Sequence, residues 1–469
     1  MNITQIKNNI ISTYRSLKMR KFLVYFFLYL QTGAIIASVF ILHPESGFNV
    51  PIVRTVIIVF ASILLLKYFV YMLVSPWHDV VMHYFYGNDN VDKYYQPLVS
   101  VVIPAWNEEV GIIHTLRSVL SSNYRNIEII VVNDGSTDNS DKLIRDFIKN
   151  EFVVNGNIAR LGGISIIYKY KKNEGKGEAL NAGIRLSSGQ IIVSIDADCI
   201  ITKQAIGEFV RCFSNPKVMA AVGNVKIGNT TTVIGVVQYL EFLFSFYFKK
   251  ADSLMNSIYI IGGAAGAFRR EVFDIVGYYH TKNITEDIDL SIRIQNAGMK
   301  ILYASKAVIF TEGAITIQDL IKQRLRWKRG RFQTFAEFKH LFFSLDKRHN
   351  KILTWLILPL AMVGEIQLSL ELYFLAFLYV YSFMVQDFSS FISGIIVVSA
   401  MFFVQIFFDD PKGKKVSFYF LFPIGWTLFY LATFVEYNAL IRSLWAGARK
   451  KEITWQKWQR NGVHDIIKH

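Results

Sequence analysis

Long apolar runs at both ends of the chain enclose a charge-bearing middle, and few folds accommodate that arrangement. One run extends from about Phe22 to Leu42 behind Lys7, Arg15, Lys18, Arg20 and Lys21, and a second from about Ile52 to Val74. Each approaches the ~20 apolar residues that cross a bilayer, so together they read as a transmembrane hairpin. The first exceeds the ~7–15-residue core of a signal peptide and lacks a clear small-residue cleavage site. Basic residues remain on the cytoplasmic side, which sets the N-terminus inside, the loop around His43 to Asn49 outside, and the chain near Trp77 back inside. Beyond Asn350, apolar stretches run over about Ile352 to Val385, Phe391 to Phe408 and Val416 to Leu440. The first contains Glu365 and Glu371 and is too long for one simple span, yet short for two; a surface helix joined to a span would fit it. The tail from Arg442 is basic (Arg449, Lys450, Lys451, Lys457, Arg460), which places it inside, whereas three crossings from an inside start place it outside.

Hydrophobic residues make up 52% of the chain, and the formal charge is +15. With that hydrophobicity, the basic balance suits an anionic membrane surface or an anionic substrate, and nucleic acid is not an expected partner. The cysteines, Cys199 and Cys212, form no CxxC pair and lack metal-spaced histidines, so neither a disulfide framework nor a zinc site is indicated.

From Leu98 to about Leu341 no apolar run is long enough to span a membrane. Short apolar runs (Val99 to Ile103, Ile127 to Val132, Ile164 to Tyr168, Ile191 to Ile195) alternate with helix-compatible stretches at Glu108 to Val119, Ser140 to Lys149 and Glu178 to Leu186. Continuous apolar strands separated by helices predict an α/β domain, a mostly parallel sheet with helices on both faces. Ligands of such sheets bind beyond the carboxyl ends of the strands. Four polar segments fall there: Pro104 to Glu109, Asn133 to Asp138, Asn173 to Gly177, and Asp196-Ala197-Asp198. Taken singly, Asp134-Gly135 also fits a turn, Thr137 and Asp138 a helix cap, and Gly175-Lys176-Gly177 a loop.

Asp196-x-Asp198 is more specific, because two carboxylates at a strand exit repel one another unless a cation or donor compensates. A hard divalent ion, Mg²⁺ or Mn²⁺, answers that need and would neutralise charge on a departing diphosphate, as a nucleotide-sugar donor requires. Lys176 is either a point charge for the same phosphates or a solvated side chain. Thr285-Glu286-Asp287-Ile288-Asp289 fits a helix start with Thr285 as cap and acids favoured by the dipole; an acid fixed there is also placed to act as a base. Around Gln323 to Arg329, apolar residues recur at helical spacing among basic ones, which predicts a basic amphipathic helix on an anionic membrane with Trp327 as interfacial anchor. An arginine there can alternatively pair with a diphosphate, and an indole face can stack on a sugar.

In this order, with flanking membrane segments, Asp134-Gly135, Asp196-x-Asp198, Thr285-Glu286-Asp287 and Gln323-x-x-Arg326-Trp327 resemble the family-two processive glycosyltransferases, the poly-N-acetylglucosamine, hyaluronan, chitin and cellulose synthases. The poly-N-acetylglucosamine branch looks nearest. The resemblance covers nearly the whole chain and implies a GT-A fold, a UDP-sugar donor (UDP-N-acetylglucosamine foremost), a divalent metal and inversion by direct displacement, with Asp287 as base. It implies that Ala105, Asn107, Glu108 and Asp134 surround the uridine, that Lys176 assists, and that Asp196 and Asp198 hold diphosphate and metal. Arg326 would meet the diphosphate, while Gln323 and Trp327 would receive the acceptor, with Glu286, Gly263 and Ala264 beside it. The family's acceptor loop, matched by Gly263 to Arg270, carries a cysteine in some members and none here, which leaves the sugar open. The implied layout is a hairpin (1–76), a cytoplasmic catalytic domain with interface helices near its end (77–345), transmembrane helices (346–445) and a basic tail (446–469). The implied partners are a polysaccharide or oligosaccharide acceptor and the lipid bilayer of the plasma membrane, with an accessory membrane subunit as a further candidate. Single transfer to a lipid, and a transporter or receptor with a nucleotide-binding domain, are the competing readings.

Overall fold

The computed structural model describes residues 51–86, 95–155, 158–386, 388–409, 425–449 and 462. The first apolar run and nearly all of the basic tail lie outside the described residues. The chain divides into two units. The smaller takes in the helix α1 (Pro51–Tyr86) as far as Leu73, the helix α10 (Leu358–Val385) from Tyr373, α11 (Ser389–Phe408), and α12 (Gly425–Ala448) as far as Leu428. Within it, Phe402, Val404 and Ile406 of α11 are buried.

The larger unit is built on a ten-stranded sheet in the order β3-β4-β5-β2-β1-β6-β9-β8-β10-β7. Its first strands are β1 (Val99–Ala105), β2 (Ile127–Asp134), β3 (Val153–Asn155), β4 (Ile158–Leu161), β5 (Ile164–Lys171) and β6 (Ile191–Ser194). The rest are β7 (Ile200–Ile201), β8 (Val218–Ile227), β9 (Gly266–Arg269) and β10 (Lys300–Thr311). The apolar runs of β1, β2 and β6 are buried on both faces, because helices cover the sheet on each side. On one face Val99, Val101, Ile103, Ile129 and Val193 pack against α2 (Ile112–Leu120), α3 (Ser140–Glu151) and α5 (Ala205–Cys212). On the other, Val102, Ile130 and Ile192 meet α4 (Lys176–Leu186) and α8 (Glu286–Asn296). The alternation follows from the two-residue period of a strand.

The sheet is mixed, where the sequence predicts a mostly parallel one. Strands β5, β2, β1 and β6 are parallel neighbours, and so are β8 and β10; β9 runs antiparallel between β6 and β8, and β7, β3 and β4 add antiparallel edges. Strand β9 gave no apolar signal because its four residues, Gly266-Ala267-Phe268-Arg269, contain one large apolar side chain. The parallel strands still end on one edge.

Two further expectations change. Leu353–Ile357 forms a π turn that continues directly into α10, so the long run with Glu365 and Glu371 is one helix and not a surface helix plus a span. Among the described residues, Leu353–Met384 is the one helix long and apolar enough to cross a membrane by length and composition. The basic helix α9 (Ile317–Glu337) turns three of its charges, Arg324, Lys328 and Arg331, toward acidic partners. Arg324 pairs with Glu241 (2.7 Å) and Glu436 (3.0 Å), Lys328 with Glu365 (2.8 Å) and Glu436 (2.9 Å), and Arg331 with Glu365 (2.7 Å). Acids in otherwise apolar helices need such partners, which explains why Glu365 sits where it does. Glu371 accepts from the Thr433 hydroxyl at 3.4 Å.

Candidate active site

The four polar segments converge, with α8 and α9, on one cavity of about 1120 Å³ in the larger unit. Ala105, Glu108, Asp134, Lys176, Asp196, Asp198, Gly263, Ala264, Glu286, Asp287, Gln323, Arg326 and Trp327 all line it.

Asn107 is the expected site residue not found among the lining. Its backbone is left-handed (φ 54°), and its Oδ1 accepts from the amides of Thr137 (2.7 Å) and Asp138 (3.3 Å). It therefore ties the loop after β1 to the loop after β2. Asp134 is buried and braces its own rim: Oδ1 accepts from Lys171 Nζ (2.7 Å) and the Glu174 amide (3.1 Å), and Oδ2 from the Gly175 amide (2.8 Å). Gly135 completes this turn at φ +70°, where a Cβ would stand 2.7 Å from the Asn173 nitrogen. Asp134-Gly135 thus forms a turn on the rim of the cavity.

Lys176 is not simply solvated. Its Nζ lies 2.6 Å from Asp196 Oδ1 and 3.6 Å from Glu286 Oε1, joining the strand-end carboxylate to the first residue of α8. Burial alone would lower its pKa, but the Asp196 and Glu286 carboxylates outweigh it and hold the ammonium above its ordinary value. Glu286 moves up instead, because burial outweighs the attraction of Lys176. The backbone at Gly263 comes close to this pair: a Cβ there would stand 2.8 Å from Lys176 Nζ, the movable end of a flexible side chain. Asp196 and Asp198 offer two hard oxygen donors at the mouth of β6, a set that fits Mg²⁺ or Mn²⁺.

Asp287 stands in the first turn of α8. Its Oδ2 accepts from the Gly263 amide (2.9 Å) and its Oδ1 from the Ile288 amide (2.9 Å). Ser291, one turn on, donates to the Asp287 carbonyl (2.6 Å) and accepts from the Ile261 amide (2.8 Å), so helix and loop hold each other in register. Thr285 does not cap the helix with its side chain, as the sequence suggests. Its amide and hydroxyl both donate to Asn283 Oδ1, and it is buried beneath α9, where Gly330 lies directly over it.

Trp327 lines the cavity. Its ring lies 4.2 Å from the Arg324 guanidinium and 6.5 Å from the ring of Phe242 in α6 (Val233–Leu254). Helix α6 also contributes Phe246 and Lys249 to the lining, which the sequence does not reveal because Lys249-Lys250 after a run of aromatics reads as a helix end.

Residues 100–277 match Glycosyl transferase family 2, and residues 191–408 match Glycosyl transferase family group 2. Together with the fold these matches define a glycosyltransferase. Poly-beta-1,6-N-acetyl-D-glucosamine synthase of Staphylococcus epidermidis strain RP62A is 31% identical over 330 residues, 68% of this chain and 76% of that one. The synthase of the same name from Staphylococcus aureus strain COL is 31% identical over 234 residues, 50% of this chain and 54% of that one. The chain belongs to glycosyl transferase family 2 and is similar to its poly-N-acetylglucosamine synthases. A solved mannosyltransferase from Pyrobaculum calidifontis, in complex with GDP-Man and Mn²⁺, is similar at 17% identity and a TM-score of 0.49, over 82% of this chain and 99% of that one.

Proposed function

We propose that this glycosyltransferase is a processive, inverting synthase with a GT-A catalytic domain, which transfers N-acetylglucosamine from UDP-N-acetylglucosamine to the end of a polysaccharide in β linkage. Ala105, Glu108 and Asp134 contact the uridine, with Asn107 bracing their loops from behind. Asp196 and Asp198 hold the divalent ion, with Asp198 as the more direct ligand, and Lys176 and Arg326 meet the diphosphate. The ion, when bound, withdraws charge from the leaving diphosphate. Asp287 accepts the proton of the acceptor hydroxyl as that oxygen bonds to the anomeric carbon and the bond to UDP breaks. Gln323, Trp327, Glu286, Gly263 and Ala264 receive the acceptor sugar.

The observation that carries this reading is the shared cavity: Asp287, oriented by the Gly263 amide, opens into the same space as the Asp196 and Asp198 pair. The reading further places the catalytic domain (77–345) in the cytoplasm, between an N-terminal hairpin (1–76) and membrane helices (346–445) through which the polymer leaves, in the plasma membrane. The apolar helix Leu353–Met384 and the similarity to poly-N-acetylglucosamine synthases support that placement. Asp287→Asn tests the chemistry. It should remove sugar transfer while UDP binding stays within about twofold of wild type; transfer at the wild-type rate would sink the assignment of the base.

A further inference from the structure

Helix α6 runs along the cavity, and among the side chains it sends there is the cation Lys249. Its Nζ donates to the Ile260 carbonyl at 2.9 Å. The next residue, Ile261, is pinned to Ser291, and Gly263 to Asp287, so the ammonium is anchored to the same loop that orients the base. An ammonium has three N–H donors, and the Ile260 carbonyl takes one. The cation also sits 5.2 Å over the ring of Phe246, whose ring lies 6.0 Å from that of Phe242, which in turn approaches Trp327. A fixed cationic donor therefore opens a row of aromatic faces running to the residue that receives the acceptor sugar.

We propose that Lys249, Phe246 and Phe242 form a subsite for the acetamido group of the acceptor's terminal sugar, with the ammonium donating to the amide carbonyl and the aromatic faces receiving the methyl. This rests on the reading of the chain as an N-acetylglucosamine polymerase and deepens it. An acetamide supplies the strong neutral acceptor and the apolar end that this pair of neighbours calls for. A sugar with a free amine, protonated near neutral pH, would face a like charge, and discrimination by repulsion is as effective as attraction. An acidic sugar would answer the ammonium but meet Asp287 and Glu286 in the same cavity. Burial lowers the Lys249 pKa to about 8 against the opposing pull of Asp252 and Asp287, so the side chain is charged at neutral pH while remaining poorly solvated. A charge-assisted hydrogen bond in such a place is worth about ten- to hundredfold in affinity.

The test compares two primers under saturating UDP-N-acetylglucosamine and Mn²⁺: a short β-linked N-acetylglucosamine oligosaccharide, and the same oligosaccharide with its terminal residue de-N-acetylated. Wild type should favour the acetylated primer by about tenfold or more in kcat/KM. Lys249→Met should bring that ratio to within about twofold, through the primer's KM, with the KM for the donor unchanged; Lys249→Arg should retain the preference. Lys249→Gln, which removes the charge with less loss of polarity, serves as a second variant, and UDP retention reports folding of each. An unchanged ratio in the uncharged variants, or equal losses on both primers, would overturn the subsite and leave Lys249 as a loop anchor. Failure of wild type to use UDP-N-acetylglucosamine with either primer, while another UDP-sugar is transferred, would overturn the donor reading and the subsite together.

Discussion

Replacing Gly330 with alanine tests how helix α9 meets helix α8. A Cβ at Gly330 would fall 1.9 Å from Thr285 Oγ1, 2.4 Å from its Cγ2 and 2.6 Å from its Cβ. Separations under 3.0 Å are essentially never seen, so the helices must part by roughly 1 Å at this crossing. Thr285 cannot swing aside easily, since it is buried and both its amide and its hydroxyl are held by Asn283. Overpacking of this kind costs ~1–3 kcal/mol, against which the helix preference for alanine over glycine returns ~1 kcal/mol. Stability should fall modestly, therefore, and activity more. Asp287 lies two residues after Thr285, and Trp327 three before Gly330, so a shift of this size separates the proposed base from the proposed acceptor platform and should lower kcat/KM about a hundredfold. Initial rates of sugar transfer, with thermal unfolding in detergent, measure both effects. Thr285→Ala removes the two nearest atoms and should restore part of the loss in the double variant, a coupling of ~0.5–3 kcal/mol. Wild-type kcat/KM in Gly330→Ala would refute the close-crossing argument.

Two other consequences follow from buried charge. Glu365→Ala leaves Lys328 with Glu436 alone and removes the carboxylate of the Arg331 ion pair, and removing one partner from a buried network typically costs ~3–5 kcal/mol; a large fall in unfolding temperature is expected, and an unchanged one would contradict the inward-facing network. Lys249 gives a pH signature: burial lowers its pKa to about 8 in the folded chain from an ordinary 10.5, so between those values the unfolded chain binds more protons and stability contributed by this group rises with pH. Below about 8 the penalty is constant, and above 10.5 it is gone. The difference in unfolding free energy between wild type and Lys249→Met should therefore change across that window in favour of wild type, and parallel pH curves would refute the burial argument.

Much of the site was legible because catalysis on a sheet edge concentrates polar residues where apolar strands stop. The exits of β1, β2 and β6 could be read from Val-Ile runs ending at Pro104, Asn133 and Asp196, and Pro104, Asp134 and Asp196 border the cavity. What escaped was whatever depends on packing between distant segments. Asn107 sits among cavity-lining neighbours, yet its side chain turns back to cap the next loop, a choice set by its left-handed backbone. The basic residues of α9 read as facing an anionic membrane because their partners Glu241, Glu365 and Glu436 are remote in sequence. Strand β9 could not be read from Gly266-Ala267, and Lys249 could not be assigned to the site until α6 was placed against the loop at Ile260.

The most direct test of the central claim is incubation of the detergent-purified protein with Mn²⁺ and a panel of radiolabelled UDP-sugars, separating high-molecular-weight product from lipid-extractable product. The account predicts label from UDP-N-acetylglucosamine in polymer, abolished by Asp287→Asn. Label from that donor confined to the lipid extract would contradict it.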